Sequence, residues 1–361
     1  MIQRTTASVE ARSPARDPDH SVPAWQSLLA TSITSPAELL QRLGLNDLAL
    51  AQQARAGHLA FPVRVPEPWL SRIRPKDPDD PLLRQVLPLA AEGESHAGYV
   101  RDPLQESDAT AAPGLIRKYR SRALLMVTGQ CAINCRYCFR RHFPYADHRL
   151  SPAQRKHVID TLKASPEINE VILSGGDPLA ANDRLLAGWA QALATVPSLT
   201  RLRIHSRLPI VIPQRVDEAL LAWIQECPLD VVMVVHVNHP REIDDNVREA
   251  MKRLRDAGVT LLNQSVILRG VNDNADVLEQ LSEALFDAGV LPYYLHAFDP
   301  VAGAHHFDVS DDEARGLVRK LQARLAGYLV PRLVREVPER PGKTLLDVGM
   351  ENPGTVEPVK R

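Results

Sequence analysis

The sequence predicts an α/β protein: a partial (β/α)6 TIM-like barrel with a helical N-terminal extension and a short C-terminal segment. From Ala123 onward, six apolar and β-branched segments recur about every 30 residues of the 361-residue chain. Amphipathic patterns separate them, which is typical of a parallel sheet covered by helices. The six segments are ALLMVTG, EVILSGG, RLRIHS, LDVVMVVHV, VTLLNQSVIL and VLPYYLHAF.

The chain divides into four predicted parts. Residues 1–22 are expected to form a disordered tail, and residues 23–113 a helical wrapper that packs on a larger body. The barrel is predicted over residues 114–330, and residues 331–361 form a C-terminal segment and tail.

Helix boundaries can be predicted from capping residues. In the wrapper, SPAELLQRLG and DPDDPLLRQVLP predict short helices that start after Ser35 and Asp80. In the barrel, helices are predicted over residues 241–257 and 276–288, each followed by a glycine that permits a left-handed turn.

Composition excludes several classes of protein. A net charge of -1 and a pI near 6.9 leave no basic surface of the kind that nucleic-acid binding needs. No apolar run approaches the ~20 residues of a membrane span, and the N-terminus lacks a secretory core. We therefore expect a cytoplasmic protein, in which clustered cysteines are more often metal ligands or catalysts than disulfides.

Polar and glycine residues follow five of the predicted strands. In a parallel barrel the carboxyl ends of the strands meet at one face, where active sites lie. We therefore expect one site there. The residues are Cys131, Cys135, Cys138, Gly175, Gly176, Asp177, His205, Arg207, His236, Asn238 and Asp299.

Three of the four cysteines stand in GQCAINCRYCFRRHFPY. A structural zinc site closes with four ligands, and Cys227 is predicted at the opposite end of the barrel as a buried apolar residue. Three thiolates can instead hold three irons of a 4Fe-4S cluster and leave the fourth iron open. A non-catalytic zinc or iron-sulfur module remains the alternative from another class.

The CxxxCxxC spacing, with Tyr137 before the last cysteine and SGGDP one strand later, resembles the radical S-adenosylmethionine (SAM) superfamily. The resemblance implies a 4Fe-4S cluster on Cys131, Cys135 and Cys138, and SAM bound to the open iron. It also implies that Gly175 and Gly176 approach the SAM amino group through their backbone.

Further segments resemble the lysine 2,3-aminomutase family, which uses SAM, the cluster and pyridoxal 5'-phosphate (PLP). That family moves the α-amino group of (S)-α-lysine to the β-carbon, giving (R)-β-lysine. The segments are CRYCFRRHF, LSGGDPL, RIHSRLPIVIPQR, HVNHPREI, LLNQSVILRGVND, PYYLHAFDPVAGAHHF and PGKTLLD.

The family resemblance assigns site residues. It implies that Lys343 carries PLP as a Schiff base, and that Arg140 binds the substrate carboxylate, for which a guanidinium is suited. Asp299 and Glu336 would bind the lysine ε-ammonium, Glu336 standing where the free-lysine enzymes have aspartate. The remaining cofactor contacts implied are Tyr137, His236 and Gln264 for SAM and Arg122 for PLP. No role is assigned to His296, His305 or His306.

The chain stops 18 residues after Lys343, without the cysteine-containing extension of the free-lysine enzymes. In this it resembles the shorter bacterial branch that supplies β-lysine for modification of elongation factor P by a separate ligase. The expected partners are L-lysine, an electron donor such as flavodoxin or ferredoxin, and a functional link to elongation factor P. An aminomutase acting on another amino acid or on a protein-bound lysine is the nearer alternative.

Overall fold

The computed structural model of the protein describes residues 22–106, 109–145, 150–346 and 348–349. The predicted N-terminal tail, apart from Val22, and residues 350–361 of the predicted C-terminal tail lie outside the described residues. No helix in the described part of the chain has the length and apolarity that a membrane crossing requires.

The described part of the wrapper contains five α-helices, two of which the capping residues predict. Ser35 accepts a hydrogen bond from the amide of Glu38, and Asp80 accepts from the amides of Leu82 and Leu83, so both predicted N-caps are confirmed. The helices are α1 (Ala24–Ala30), α2 (Pro36–Arg42), α3 (Leu48–Ala60), α4 (Glu67–Leu70) and α5 (Pro81–Arg84).

One sheet of ten strands, paired in chain order, forms the centre of the fold. The run from β3 to β9 is parallel, whereas β1 and β2 at one edge and β10 at the other pair antiparallel. Because β1 and β10 are opposite edges of this sheet, the barrel is partial, which confirms the predicted fold class. The strands are β1 (Thr110–Ala112), β2 (Leu115–Ile116), β3 (Arg122–Thr128), β4 (Glu170–Gly175), β5 (Arg201–Ser206), β6 (Asp230–Val235), β7 (Thr260–Val266), β8 (Leu291–His296), β9 (Arg332–Arg335) and β10 (Thr344–Leu345).

The six predicted strands are β3 to β8. The four edge strands were missed because they are only two to four residues long and carry no run of β-branched residues. The sheet extends past both predicted limits of the barrel, since β1 precedes residue 114 and β9 and β10 follow residue 330.

Helices α6 to α12 follow or connect the parallel strands. The predicted helix over 241–257 starts four residues late, because Pro240–Glu242 forms a 3-10 turn and Asp244 caps α10. Gly258 and Gly289 have φ of +86° and +77°, as predicted for helix-to-strand junctions. The helices are α6 (Pro152–Lys163), α7 (Asp183–Ala194), α8 (Leu208–Val211), α9 (Glu218–Gln225), α10 (Asp245–Asp256), α11 (Ala275–Asp287) and α12 (Asp311–Arg324).

The wrapper and the barrel share one apolar core. Trp25 and Trp69 of the wrapper belong to the same buried cluster as Leu173 and Leu202 of the sheet. Every residue of β4 is buried, which fits a central strand covered on both faces. The wrapper is therefore packed as part of the barrel wall, and its polar residues can reach the site.

Candidate active site

A cavity of about 320 Å³ lies at the carboxyl ends of the parallel strands. The structure brings to its wall every residue for which a cofactor or substrate contact is predicted, from the cysteine loop after β3 to the segment before β10. These residues are Arg122, Cys131, Cys135, Tyr137, Cys138, Arg140, Gly175, Gly176, His236, Gln264, Asp299, Glu336 and Lys343. Asn238, also expected at this site, does not line the cavity. Cys227 is half-buried against the apolar core after α9 and does not line the cavity.

The cysteine loop is fastened to the wrapper by a buried ion cluster. Arg136, between the second and third cysteines, donates to Glu92 at 2.9 and 2.5 Å, and Arg141 donates to the same carboxylate at 2.6 Å. The side chains of Arg136 and Glu92 are 0% exposed. The wrapper therefore fixes the loop that presents the thiols.

The spacing of the thiols suits a group larger than one metal ion. The Sγ atoms of Cys131, Cys135 and Cys138 line the same cavity, yet they do not all lie within 4.8 Å of one another. Ligands of a tetrahedral zinc would lie about 3.8 Å apart, given Zn–S bonds of about 2.3 Å. The three thiols are therefore not arranged as ligands of one tetrahedral zinc ion.

Burial also bears on the thiols themselves. Loss of water raises the pKa of Cys131 well above its ordinary value and that of Cys138 to about 11. Without a cation these two groups are neutral thiols at pH 7. Metal binding at this loop would therefore release protons.

The two glycines at the end of β4 allow the strand to touch the cysteine loop. Gly175 has φ +120°, and the amide of Gly176 donates to Thr128 O at 2.8 Å. A Cβ on Gly176 would lie 2.4 Å from Gln130 O. The sequence predicts these glycines for a close contact with SAM, but packing of the strand end against the cysteine loop already requires that they lack a side chain.

We expect Gly176→Ala to lower the free energy of unfolding by about 1–3 kcal/mol, because backbone atoms must move to admit the methyl group. Iron bound per chain should fall with it, since Gln130 adjoins Cys131. The control is Gly188→Ala in α7, where an added Cβ meets nothing within 4 Å; it should be neutral or stabilising. Denaturant midpoints and iron content measure both, and a Gly176→Ala protein with native values of both would contradict this assignment.

Asp177 has a larger structural role than its sequence predicts. It starts a 3-10 turn by accepting from the amide of Leu179. It also accepts from Ser206 Oγ at 2.7 Å and from the amides of Arg207 and Leu208 at 2.8 and 2.9 Å. This buried carboxylate joins the ends of β4 and β5 beneath the cavity.

Lys343 and Glu336 form an ion pair at 2.7 Å inside the cavity. Tyr119 donates to Glu336 at 2.6 Å, and Lys118 Nζ lies 3.7 Å from the same carboxylate. Burial alone would raise the pKa of Glu336, but Lys343, Tyr119 and Lys118 together lower it to about 2. Glu336 is therefore ionised throughout the physiological range.

Asp299 faces the same end of the cavity in a different electrostatic state. Desolvation raises its pKa to about 7, against the attraction of Lys343 and with the added repulsion of Glu336. The two acids thus differ: one carries a fixed negative charge, and the other gains or loses its proton near neutral pH.

The guanidinium of Arg140 is held in place by protein groups. Its Nε and Nη2 donate to Glu106 at 2.6 and 2.8 Å, and its Nη1 donates to Ser174 Oγ at 3.0 Å. Lys118 also lies 3.2 Å from Glu106. A substrate carboxylate must either share Nη2 with Glu106 or displace it.

Three histidines line the cavity in neutral form. Desolvation lowers the pKa of His205 and His296 well below the ordinary value and that of His236 to about 3. His236 Nε2 lies 2.9 Å from Gln264 Nε2, so these two predicted SAM contacts are neighbours. His305 and His306, for which the sequence suggests no role, do not line the cavity.

Sequence reasoning missed several residues that the structure brings to the site. Their partners are far along the chain, and their local sequence carries no motif. Lys118 and Tyr119, between β2 and β3, had one available signal: a cation and a phenol three to four residues before Arg122. The missed residues are Gln85, Glu92, Glu106, Lys118 and Tyr119.

Comparison with known proteins identifies sequences and structures to which this chain is similar. The sequence model of the Radical SAM superfamily matches residues 125–281. The chain is 50% identical to L-lysine 2,3-aminomutase of Escherichia coli over 90% of this chain and 94% of that protein. It is 47% identical to L-lysine 2,3-aminomutase of Haemophilus influenzae over 89% and 95% of the two chains. Among solved structures, a radical SAM methyltransferase from Sphaerobacter thermophilus covers 61% of this chain and 68% of its own, with a TM-score of 0.44 and 16% identity.

Proposed function

The chain belongs to the lysine 2,3-aminomutase family of the radical SAM superfamily, a family of isomerases, and on this premise we propose that it converts (S)-α-lysine to (R)-β-lysine. The observation that carries the proposal is one cavity with three thiols on the loop after β3 and a lysine–glutamate pair before β10. A radical-generating group and an amine-binding group can thus act on one small molecule.

The cofactors of the family fit the residues present. Cys131, Cys135 and Cys138, which line one cavity, would hold the 4Fe-4S cluster, and Lys343 is the amine to which PLP would attach. When bound, these groups and SAM supply hydrogen abstraction from the substrate and delocalisation of the unpaired electron. The protein itself supplies position, charge and exclusion of water.

For SAM we propose contacts from the backbone of Gly175 and Gly176 and from Tyr137, His236 and Gln264, all of which line the cavity. Tyr137 is held by Asn238, whose amide donates to the phenol oxygen at 2.7 Å. For PLP we propose Arg122, whose guanidinium lies 3.9 Å from the centre of the Tyr119 ring. Both side chains are therefore fixed in orientation before a ligand binds.

The ends of the substrate would be held by opposite charges. Arg140 would take the α-carboxylate through the free part of its Nη2 group, while Glu336 and Asp299 take the ε-ammonium. The existing contact between the Lys343 ammonium and Glu336 is a lysine–carboxylate pair of the same chemistry. A glutamate substrate would place a carboxylate against these acids, which disfavours it.

The test is anaerobic incubation of the reconstituted protein with L-lysine, SAM and dithionite, followed by chiral analysis for (R)-β-lysine. Cys135→Ala is the control and should give none. Lysine-containing peptides and other amino acids belong in the same assay, because turnover of these in preference to lysine would favour the alternative substrates. A colourless protein that holds zinc would contradict the proposal.

We place this activity in the cytoplasm, where reducing conditions keep clustered thiols available for iron. The product would serve in the modification of elongation factor P, and a low-potential electron donor such as flavodoxin or ferredoxin would reduce the cluster. Deletion of the gene should then leave elongation factor P without its β-lysyl group, and added β-lysine should restore it. An unmodified factor in the wild-type cell would contradict this link.

Lysine binding should depend on pH through Asp299. With a pKa of about 7, Asp299 is ionised in about half of the molecules at neutral pH. In the other half it must lose its proton before it can offer a second carboxylate beside Glu336. The apparent KM for lysine should therefore fall as pH rises from about 6 to about 8, and level off above. Asp299→Asn should weaken binding and remove this dependence; an unchanged profile would exclude Asp299 as its source.

The same proton affects stability in the opposite direction. Since the folded state binds it more tightly than the unfolded chain does, the contribution of Asp299 is full in acid and is lost as pH rises through about 7. A denaturation series with the substrate-free protein and the Asp299→Asn variant measures this separately from activity.

A further inference from the structure

Arg207, which follows β5 and caps α8, donates to a thiol of the cysteine loop. Its Nη1 lies 2.8 Å from Cys135 Sγ, within hydrogen-bonding distance of the sulfur. The side chain is 7% exposed. Nothing in the proposed binding of lysine, SAM or PLP uses this contact.

The position of the guanidinium is fixed from several sides. Nη2 donates to Gln85 Oε1 at 2.6 Å and to Glu242 Oε2 at 3.1 Å. The guanidinium carbon of Arg207 lies 4.6 Å from the ring centre of Trp69 and 5.6 Å from that of Tyr137. The wrapper and the barrel thus clamp the group against the sulfur.

Pairing with Glu242 does not by itself explain this arrangement. The Oε1 atom of Glu242 already accepts from the amides of Asn238 and His239 at 3.1 Å and from Gln85 Nε2 at 3.0 Å. Three donors satisfy Oε1, and Nη2 of Arg207 alone is enough to pair with Oε2. The other terminal nitrogen of the guanidinium, Nη1, donates to Cys135.

We propose that Arg207 is a positioning residue that raises the reduction potential of the iron-sulfur cluster held by Cys135. The proposal rests on the proposed function, since it requires the cluster. Reduction adds one electron, supplied by a low-potential donor, to a group that already carries thiolate charge. A hydrogen bond to a ligand sulfur and a fixed positive charge both stabilise the added electron. Without them the same donor would reduce a smaller fraction of the protein.

The experiment is a redox titration of the reconstituted cluster in the absence of SAM and lysine, followed by the electron paramagnetic resonance signal of the reduced cluster. The test variant is Arg207→Met combined with Glu242→Gln, which removes both charges of the buried pair together. At the potential where the native cluster is half reduced, the ratio of reduced to oxidised cluster should fall about tenfold, which corresponds to 59 mV.

The control is a buried arginine away from the cavity. Arg215, 0% exposed, pairs with Asp183 at 2.6 Å and lies 4.6 Å from the Trp25 ring centre. Arg215→Met combined with Asp183→Asn makes the same chemical change in the same core. It should leave the potential of the cluster unchanged.

Glu242→Gln alone gives a second, independent readout. It keeps the arginine and removes its countercharge, so the potential should rise above that of the native protein. If the double variant fails to hold iron, this single variant decides the question, and a potential at or below the native value overturns the proposal. An unchanged potential in an iron-replete double variant overturns it equally. A native protein that assembles no cluster would instead refute the proposed function.

Discussion

Lys343→Ala is expected to abolish both aminomutase activity and the stable adduct that borohydride reduction forms between PLP and the native protein. The change removes the only amine that the described structure places against Glu336 at hydrogen-bonding distance, 2.7 Å. It also removes the nearest cation of an ionised, largely buried carboxylate. Activity and mass spectrometry of the reduced protein measure the two losses separately.

Two further variants separate covalent attachment from charge. Lys343→Arg keeps the cation beside Glu336 but cannot form an imine, so it should remain inactive and free of adduct. Lys118→Ala removes a lysine 3.7 Å from Glu336, yet it should retain the adduct. An adduct that persists in Lys343→Ala, attached to another lysine, would show that the assignment of Lys343 is wrong.

Glu92→Ala is expected to destabilise the protein by about 3–5 kcal/mol, because it leaves a buried guanidinium without its partner. Arg136 has a side chain that is 0% exposed and makes two of its bonds to this carboxylate. Arg141 loses its bond to the same group. Since Arg136 stands between Cys135 and Cys138, iron content should fall below the native level even in protein that remains folded.

The control for Glu92→Ala is a variant that breaks an ion pair on the surface. Glu67→Ala breaks the contact with Arg42, whose side chain is 46% exposed, and should change stability by less than about 1 kcal/mol. Denaturation midpoints and iron content give both answers. A Glu92→Ala protein with native stability and full iron would show that the wrapper is not needed to hold the cysteine loop.

The sequence was sufficient where a residue's role depends on its neighbours in the chain. Cys131, Cys135 and Cys138 lie within eight residues, and strand periodicity was enough to place them at the mouth of the barrel. The caps at Ser35 and Asp80 were predictable for the same reason. Local chemistry decided these features, and the structure confirms their positions.

Sequence reasoning failed where a residue's role depends on a distant partner. Glu106 contacts Arg140 across 34 positions, and Glu92 contacts Arg136 across 44. Arg207 reaches Cys135 across 72. In each case the local sequence around the carboxylate or guanidinium would look the same if the charged group were exposed to solvent. Only the packing of the wrapper on the barrel distinguishes these buried pairs.

Because the wrapper shares one apolar core with the barrel, the two cannot be exchanged separately between related proteins. The region shared with the whole superfamily, residues 125–281, excludes Gln85 and Glu92, which hold the cysteine loop and Arg207 from outside it. It also excludes Lys343. A chimera that contained only this barrel segment would keep the three cysteines but would lack Gln85, Glu92 and Lys343. The unit that can be transplanted between relatives is therefore the wrapper, the barrel and the last strands together.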